Sequence, residues 1–584
     1  MDMQQSGPHL DPSALIPNVA TLLERNTAAF GDHLVFAGKH DGAYEGISWN
    51  TLLADVRAIA HNLRAHYGFL PGDKLVIFSP NRSEMLRMEL AVMASGGIAV
   101  PIFAFFHKET AELLIRHSDA RFLAVAGELQ LERLDPELPL DHVFSFDAVD
   151  NGKWSNLVRF SELLASPPGG PDALFTDADP DALCLNMYTS GTMGTPKCVQ
   201  LSHRNILSQQ AALAQLWDLG PDDRFLSYLP WHHSFGGIFE LFTALRTGAT
   251  LHLESGYGKD PQEIMANWKL VRPTVFFSVP KVYQALVDLT HHDAEAERLF
   301  FHAGLKFIFT AAAALPQKLS EEFERRGVPV IEGWGLTETS PCCTLTDPAV
   351  KRAPGVVGKP LPGITLRLAD DGEVLVKGPN VMCGYYKNDE ANKGLFDADG
   401  FFHTGDVGEL LPDGLKLITR KDRIFKLSNG EKVIPSDLEK LIEFKCHYIS
   451  FAMVVGSGQE YPIALLFPNK KQLEHPDYRQ SPMEGCFCPR SLDELGKCLH
   501  GCLHDANCGI GQKFAKIKAA MIIDGELSLA NNTLTPSMKV APRNVVEVYR
   551  AHLENLYGAN HPLDEEVYII KLDDITTAGR KIIA

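Results

Sequence analysis

Nothing at the start of this chain has the makings of an export signal. Met1 to Pro17 carries no basic flank followed by an apolar core, so no removable leader is expected. Long apolar runs are missing too. Stretches such as Ala91 to Phe106 are interrupted by Gly or Pro and fall short of a clear membrane span. Positive charge is in deficit: 55 Lys and Arg face 73 Asp and Glu, a net charge of −18. That balance argues against a nucleic-acid partner. The 11 cysteines show no regular framework, which suits a reducing compartment rather than a disulfide scaffold. These absences lead us to expect a cytoplasmic protein whose membrane contact, if any, is peripheral and made through its substrate rather than an anchor. At 584 residues, 45% hydrophobic and 22% charged, the composition is that of a globular protein. The chain is too long for one core, so two to four folding units are expected.

What is present is an alternation of short β-rich runs with amphipathic helical stretches over roughly the first 420 residues. Lys74 to Ser79, Ile98 to Ile102 and Arg121 to Val125 read as buried strands; Ser83 to Ser95 and Thr110 to Asp119 read as the helices between them. Helices over Asn205 to Trp217, Pro261 to Val271 and Pro316 to Arg326 continue the pattern, with strands at Thr274 to Val279, Phe307 to Phe309 and Val328 to Ile331. Such alternation predicts parallel sheet with crossover helices. After Pro354 short strands with Gly-containing turns predict a small β-rich subdomain, as at Ile364 to Leu368 and Glu373 to Val376. From Arg420 a compact α+β unit follows, with strands near Ile449 to Val455 and Ile463 to Phe467. Asn151 to Asp181, rich in Pro, Gly, Asp and Ser, reads as a linker.

That linker leads to Tyr188-Thr189-Ser190-Gly191-Thr192-Met193-Gly194-Thr195-Pro196-Lys197. Glycine lets backbone N–H groups approach an anion, hydroxyls add donors, and Lys adds a point charge, so the loop can hold a polyphosphate. It is not a Walker A loop, because Lys197 follows Pro196 and precedes Cys198. Four clusters accompany it: Leu229-Pro230-Trp231-His232-His233-Ser234-Phe235-Gly236, Glu332-Gly333-Trp334-Gly335-Leu336-Thr337-Glu338-Thr339, Phe402-His403-Thr404-Gly405-Asp406, and Arg420-Lys421-Asp422-Arg423 running on to Gly430-Glu431. Alone, each is an ordinary turn or packing motif.

Together and in this order, from about Val19 to Tyr557, these motifs resemble the adenylate-forming superfamily of acyl-CoA synthetases, luciferases and nonribosomal adenylation domains. Phe425 to Glu431 and Leu534-Thr535-Pro536-Ser537-Met538-Lys539 are most similar to the long-chain fatty acyl-CoA synthetase branch. The resemblance implies an α/β fold: a large N-terminal AMP-binding domain, 1–419, of parallel α/β subdomains plus the β-rich subdomain, and a small mobile α+β domain, 420–584. It implies two steps, in which a carboxylate attacks the α-phosphorus of ATP, and a thiol then displaces AMP. Anion meets polyanion there, so neutralisation and positioning carry the catalysis.

Position by position, the resemblance implies that Thr189, Ser190, Gly191, Thr192, Gly194 and Lys197 cradle phosphates. Thr337 would bond the α-phosphate and Glu338 would hold Mg²⁺, a hard cation suited to oxygen. Trp334 would pack near adenine, with Asp406 and Arg420 at the ribose. Lys539 would reach the α-phosphate in the first step, His233 would border the acyl and thiol channel, and Trp231 would either shape the acyl entrance or serve as plain core. Asp422 falls where the family has its hinge, and Gly430 would let the thiol arm pass. ATP and CoA are the implied co-substrates, with a medium- to long-chain fatty acid as the implied acid. An aryl or hydroxycinnamoyl acid, a carrier protein as acceptor, and a non-catalytic acyl-binding role stay open.

Met193, Cys198 and the alanines of Phe307 to Ala314 depart from the family's usual residues. Cys486, Cys488, Cys498, His500, Cys502, His504 and Cys508 include i,i+4 pairs with zinc-type donors, but in no standard finger spacing. Free cysteines of this kind also serve as small buried hydrophobes.

Overall fold

The computed structural model describes residues 4–165, 174–189, 196–254, 256–311, 313, 315–350, 353, 355–446, 448–469, 473, 489, 491–525, 527–528, 531, 533–534, 540–559, 567–572 and 582–583. The chain divides into two compact units. The first comprises Met1–Thr189, Pro196–Thr404 and Glu409–Lys416; the second comprises Ser190–Thr195, Gly405–Gly408 and Leu417–Ala584. The sequence predicts a division at 419/420; in the structure the last crossing falls at 416/417.

Two large sheets build the first unit. One has eight strands in the order Gly384–Tyr385, Lys197–Ser202, Leu183–Thr189, Ile98–Ile102, Lys74–Phe78, Phe122–Val125, His142–Ser145 and Leu157–Arg159. It is parallel from Leu183–Thr189 to Leu157–Arg159 and antiparallel at the other edge. The other has nine strands, with a parallel run through Val330–Trp334, Phe307–Thr310, Val275–Ser278, Arg224–Ser227, Thr250–Leu253 and Leu34–His40. Crossover helices cover both faces of such strands, so they are apolar throughout: all five residues of Ile98–Ile102 are buried. Antiparallel strands Gln4–Ser6, Thr365–Leu368 and Glu373–Lys377 form the β-rich part. The chain passes between the units along the strands Phe402–Leu411 and Gly414–Arg420.

The segment read as a linker is partly structured. Leu157–Arg159 adds the edge strand, and Phe160–Leu164 is a short helix that buries Phe160 and Leu163. Its polar composition hid two apolar anchors, one of them edge-on to Phe146 at 5.2 Å.

In the second unit, period-two alternation divides a five-stranded sheet between two cores. Ala452, Val454, Ala464, Leu466, Ala520 and Ile522 face a cluster with Leu438, Ile442, Leu495, Leu499 and Leu503 of the helices Pro435–Lys445 and Leu492–Gly509. Met453, Ile463, Leu465, Phe467 and Met521 face Val545, Tyr549 and Leu553 on the other side. Among the described residues no helix is long and apolar enough to cross a membrane.

One buried carboxyl in the first unit sets a pH dependence. Glu89, on the helix Ser83–Ala94, is 1% exposed and neither carboxyl oxygen has a hydrogen-bond partner among the described residues. Burial pushes its carboxyl from an ordinary 4.5 up to about 8. The shift corresponds to roughly 5 kcal/mol against ionisation. Between these values the folded chain holds a proton that the unfolded chain has released, so this group makes stability fall as pH rises from 4.5 to about 8. Glu89→Gln is therefore expected to flatten the decline in urea midpoint between pH 5.5 and 8. An unchanged slope would refute this.

Candidate active site

In the first unit, the motif segments leave the C-terminal ends of parallel strands, where open α/β sheets place their ligands. Leu183–Thr189 runs into the Gly-rich loop, and Arg224–Ser227 into the His-His turn. Val330–Trp334 runs into Gly335-Leu336-Thr337-Glu338. This last strand extends three residues past the predicted end, because Glu332 and Gly333 fit where generic strand residues would not. Glu332 is buried and accepts from the Leu315 N–H at 3.4 Å, while a Cβ at Gly333 would meet the Phe309 ring at 2.7 Å.

Asn81, three residues beyond Lys74–Phe78, clamps the His-His turn. Its amide donates to the Leu229 carbonyl at 2.8 Å and accepts from the Trp231 N–H at 2.9 Å. A π-helix over Phe235–Glu240 then packs against the turn. A Cβ at Gly237 would lie 1.9 Å from the Trp231 carbonyl oxygen, so only glycine permits this approach. Trp231 is fully buried and edge-on to Phe36, with the ring centres 6.1 Å apart.

His233 Nδ1 accepts the Phe235 N–H at 3.3 Å, which leaves the proton of a neutral ring on Nε2. His232 packs at 5.0 Å from the Phe103 ring. Desolvation, with a smaller push from His233, lowers its pKa to about 3, so this imidazole stays neutral at ordinary pH.

Ser234 joins this turn to the second motif: its hydroxyl lies 2.9 Å from that of Thr337, in the 3-10 turn Thr337–Thr339. Ser234 lies inside its motif, but nothing in the sequence assigns it a role. Glu338 accepts from the Tyr385 hydroxyl at 2.7 Å, and the Lys197 ammonium stands 4.8 Å from the centre of the same Tyr385 ring. Lys197 pairs across the sheet with Thr189, so the two ends of the Gly-rich loop are held together. Ser190, Gly191, Thr192 and Gly194 lie outside the described residues, as does Met193. Thr337, Glu338, Lys197 and His233 are thus linked through Ser234 and Tyr385. Trp334 is buried in its strand. The glycine after it answers an internal demand, since a Cβ at Gly335 would sit 1.8 Å from the Pro341 carbonyl oxygen. Cys198 is buried in the sheet, where desolvation pushes its thiol up to about 12.

Within the second unit, the Arg420 guanidinium donates to Asp406 at 3.0 Å and lies 3.7 Å from Asp422. Gly405 takes φ +72° within the strand Phe402–Leu411, where the sequence alone suggested a turn. Asp422 sits in the 3-10 turn Lys421–Arg423. Gly430, at φ +87°, closes a hairpin between Phe425–Lys426 and Lys432–Val433, its N–H donating to the Leu427 carbonyl at 2.9 Å. Among the described residues a Cβ there would meet nothing within 4 Å, and the positive φ of the turn is what favours glycine. Lys539 lies outside the described residues; its flanks Leu534 and Val540 pair with each other. On the helix Leu492–Gly509, Cys498 joins the apolar core, and Cys508 lies 3.9 Å from His504. Cys486 and Cys488 lie outside the described residues. Among those described, no three His, Cys, Asp or Glu side chains gather as a metal site.

Comparison with known proteins bears on these motifs. The AMP-binding enzyme family matches residues 23–386, and the AMP-binding enzyme C-terminal domain matches 422–561. The chain is 27% identical to human long-chain-fatty-acid–CoA ligase 1 over 601 residues, 89% of this chain and 83% of that one. It is 33% identical over 404 residues to a methyl-dioxo-octahydroindenyl-propanoyl:CoA ligase of Mycobacterium tuberculosis, covering 67% of this chain and 77% of the relative. Its fold resembles that of ATP-bound MatB from Rhodopseudomonas palustris with a TM-score of 0.72 at 23% identity, over 91% of this chain and 99% of that one. The chain therefore belongs to the AMP-binding enzyme family of adenylate-forming enzymes and resembles its long-chain acyl-CoA synthetases.

Proposed function

We propose that this AMP-forming acyl-CoA synthetase activates a medium- to long-chain fatty acid as its adenylate and transfers the acyl group to CoA. The observation that carries the reading is the linkage in the first unit. Ser234 ties the His233 turn to Thr337 at 2.9 Å, and Tyr385 links Glu338 to Lys197. A hydroxyl, a carboxylate and an ammonium from the two large sheets are thereby held close together, which suits a triphosphate whose α-phosphorus is attacked.

In this reading Thr189, Ser190, Gly191, Thr192, Gly194 and Lys197 hold the outgoing phosphates, and Thr337 orients the α-phosphate. Trp334 stands on the adenine side. Asp406, fixed by Arg420, accepts from the ribose hydroxyls. Lys539 neutralises charge as the adenylate forms, and His233 borders the acyl carboxylate. Asp422 acts as hinge for the C-terminal part, and Gly430 serves the thiol half-reaction. Glu338 fits a hard divalent cation: one carboxylate oxygen is held by Tyr385, and the other has no hydrogen bond among the described residues. Mg²⁺ bound there would withdraw charge from the phosphates.

The fatty-acid reading is supported by the long-chain ligase among the relatives. A second reading, a ring-bearing acid, is favoured by the 33% identical mycobacterial ligase. Rates of acid-dependent AMP formation across saturated acids, ring-bearing propanoates and aryl acids separate them. A kcat/KM highest for fatty acids supports the first, and a ring-bearing optimum replaces it. Adenylate that accumulates with CoA but is consumed by a phosphopantetheinylated carrier protein would reassign the acceptor.

A further inference from the structure

We propose that Tyr385 is a positioning residue that keeps Lys197 and Glu338 apart and aims each at its own partner. The inference rests on the ATP-dependent reading above. Lys197 and Glu338 carry opposite charges on neighbouring segments, and a direct ion pair between them would neutralise both. Among the described residues neither forms an ion pair. Tyr385 stands between them instead: its hydroxyl donates to Glu338 Oε1 at 2.7 Å, and its ring faces the Lys197 ammonium at 4.8 Å. The phenol thus occupies one carboxylate oxygen and leaves the other for a cation. The ring face attracts the ammonium without consuming its three N–H donors, which remain for phosphate oxygens.

The spacer is itself fixed. Tyr385 is buried, and its strand pairs with the one that begins at Lys197, Tyr385 opposite Val199. Asn392 holds the Tyr385 backbone on both sides, accepting its N–H at 2.9 Å and donating to its carbonyl at 2.8 Å. A ring held by a sheet register and a two-point amide clamp cannot drift with the ligands, which is what a preorganised support requires.

The two halves of the role separate by substitution. Tyr385→Phe keeps the ring and removes the hydroxyl; Tyr385→Leu removes the ring as well. The measurements are calorimetric ATP binding with Mg²⁺ and with EDTA, and the Mg²⁺ concentration for half-maximal acid-dependent pyrophosphate exchange. Tyr385→Phe is expected to raise that Mg²⁺ requirement about tenfold and to weaken ATP binding only when Mg²⁺ is present. Tyr385→Leu is expected to weaken ATP binding in EDTA too. The KM for the acid should not move in either variant. An unaltered Mg²⁺ requirement in Tyr385→Phe overturns the proposal, as does an equal loss with and without Mg²⁺. If Tyr385→Phe does not fold, Asn392→Ala decides in its place: a raised Mg²⁺ requirement supports the role, and an unchanged one overturns it. A wild-type chain that neither binds ATP nor forms AMP would defeat the ATP-dependent reading itself, a result distinct from all of these.

Discussion

Lys539→Ala is expected to slow acyl-adenylate formation by about 10²–10³-fold, the usual loss when one preorganised donor to developing charge is removed. The first step builds negative charge at the α-phosphate as pyrophosphate leaves, and an ammonium stabilises that charge more in the transition state than in bound ATP. The loss should therefore fall on kcat for adenylation, with ATP affinity little changed. Acyl-CoA formation from synthetic acyl-adenylate should stay within a few-fold of wild type, because that half-reaction does not expel pyrophosphate. Single-turnover assays of each half separate the two. Equal losses in both would remove Lys539 from the first step and point to a structural role for the segment between Leu534 and Val540.

Glu338→Gln is expected to cost nearly as much, by a different route. The amide keeps the volume and still accepts from the Tyr385 hydroxyl, so the link seen at 2.7 Å survives. What it loses is charge, and a neutral amide is a poor substitute for carboxylate toward Mg²⁺. Adenylation should fall about 100-fold at modest Mg²⁺ and recover partly as Mg²⁺ is raised. Removal of an oxygen ligand is overcome by mass action, whereas a misfolded site is not. A loss that no Mg²⁺ concentration relieves, with an unchanged unfolding midpoint, would contradict the assignment.

Much of the fold was legible because the buried strands of a parallel sheet are written as continuous apolar runs. Ile98–Ile102 and Pro261–Val271 fall where the sequence placed them. Misreadings occur where packing overrides local preference. The Val330–Trp334 strand continues through Glu332 and Gly333, residues whose place is set by Leu315 and Phe309 rather than by β propensity. Leu157–Arg159 was hidden in polar surroundings and forms because the neighbouring strand offers it an edge.

The site divides in the same way. His233, Thr337 and Glu338 lay inside motifs, and the structure links their turns through Ser234. Tyr385 could not have been found from spacing, since Lys197 meets it through the sheet register and Glu338 reaches it from the turn after a strand of the other large sheet. Asp406 and Arg420 are bonded within the second unit. They meet because Asp406 lies on the strand Phe402–Leu411 and Arg420 ends the next strand, Gly414–Arg420, its neighbour in the same sheet.

The most direct measurement is the identity of the nucleotide product. The purified chain would be incubated with ATP, Mg²⁺ and CoA, with and without a long-chain fatty acid, and the products separated by ion-exchange chromatography. Acid-dependent AMP and pyrophosphate are expected, with acyl-CoA in equal amount to AMP. ADP and phosphate, or AMP formed at the same rate without acid, would contradict this.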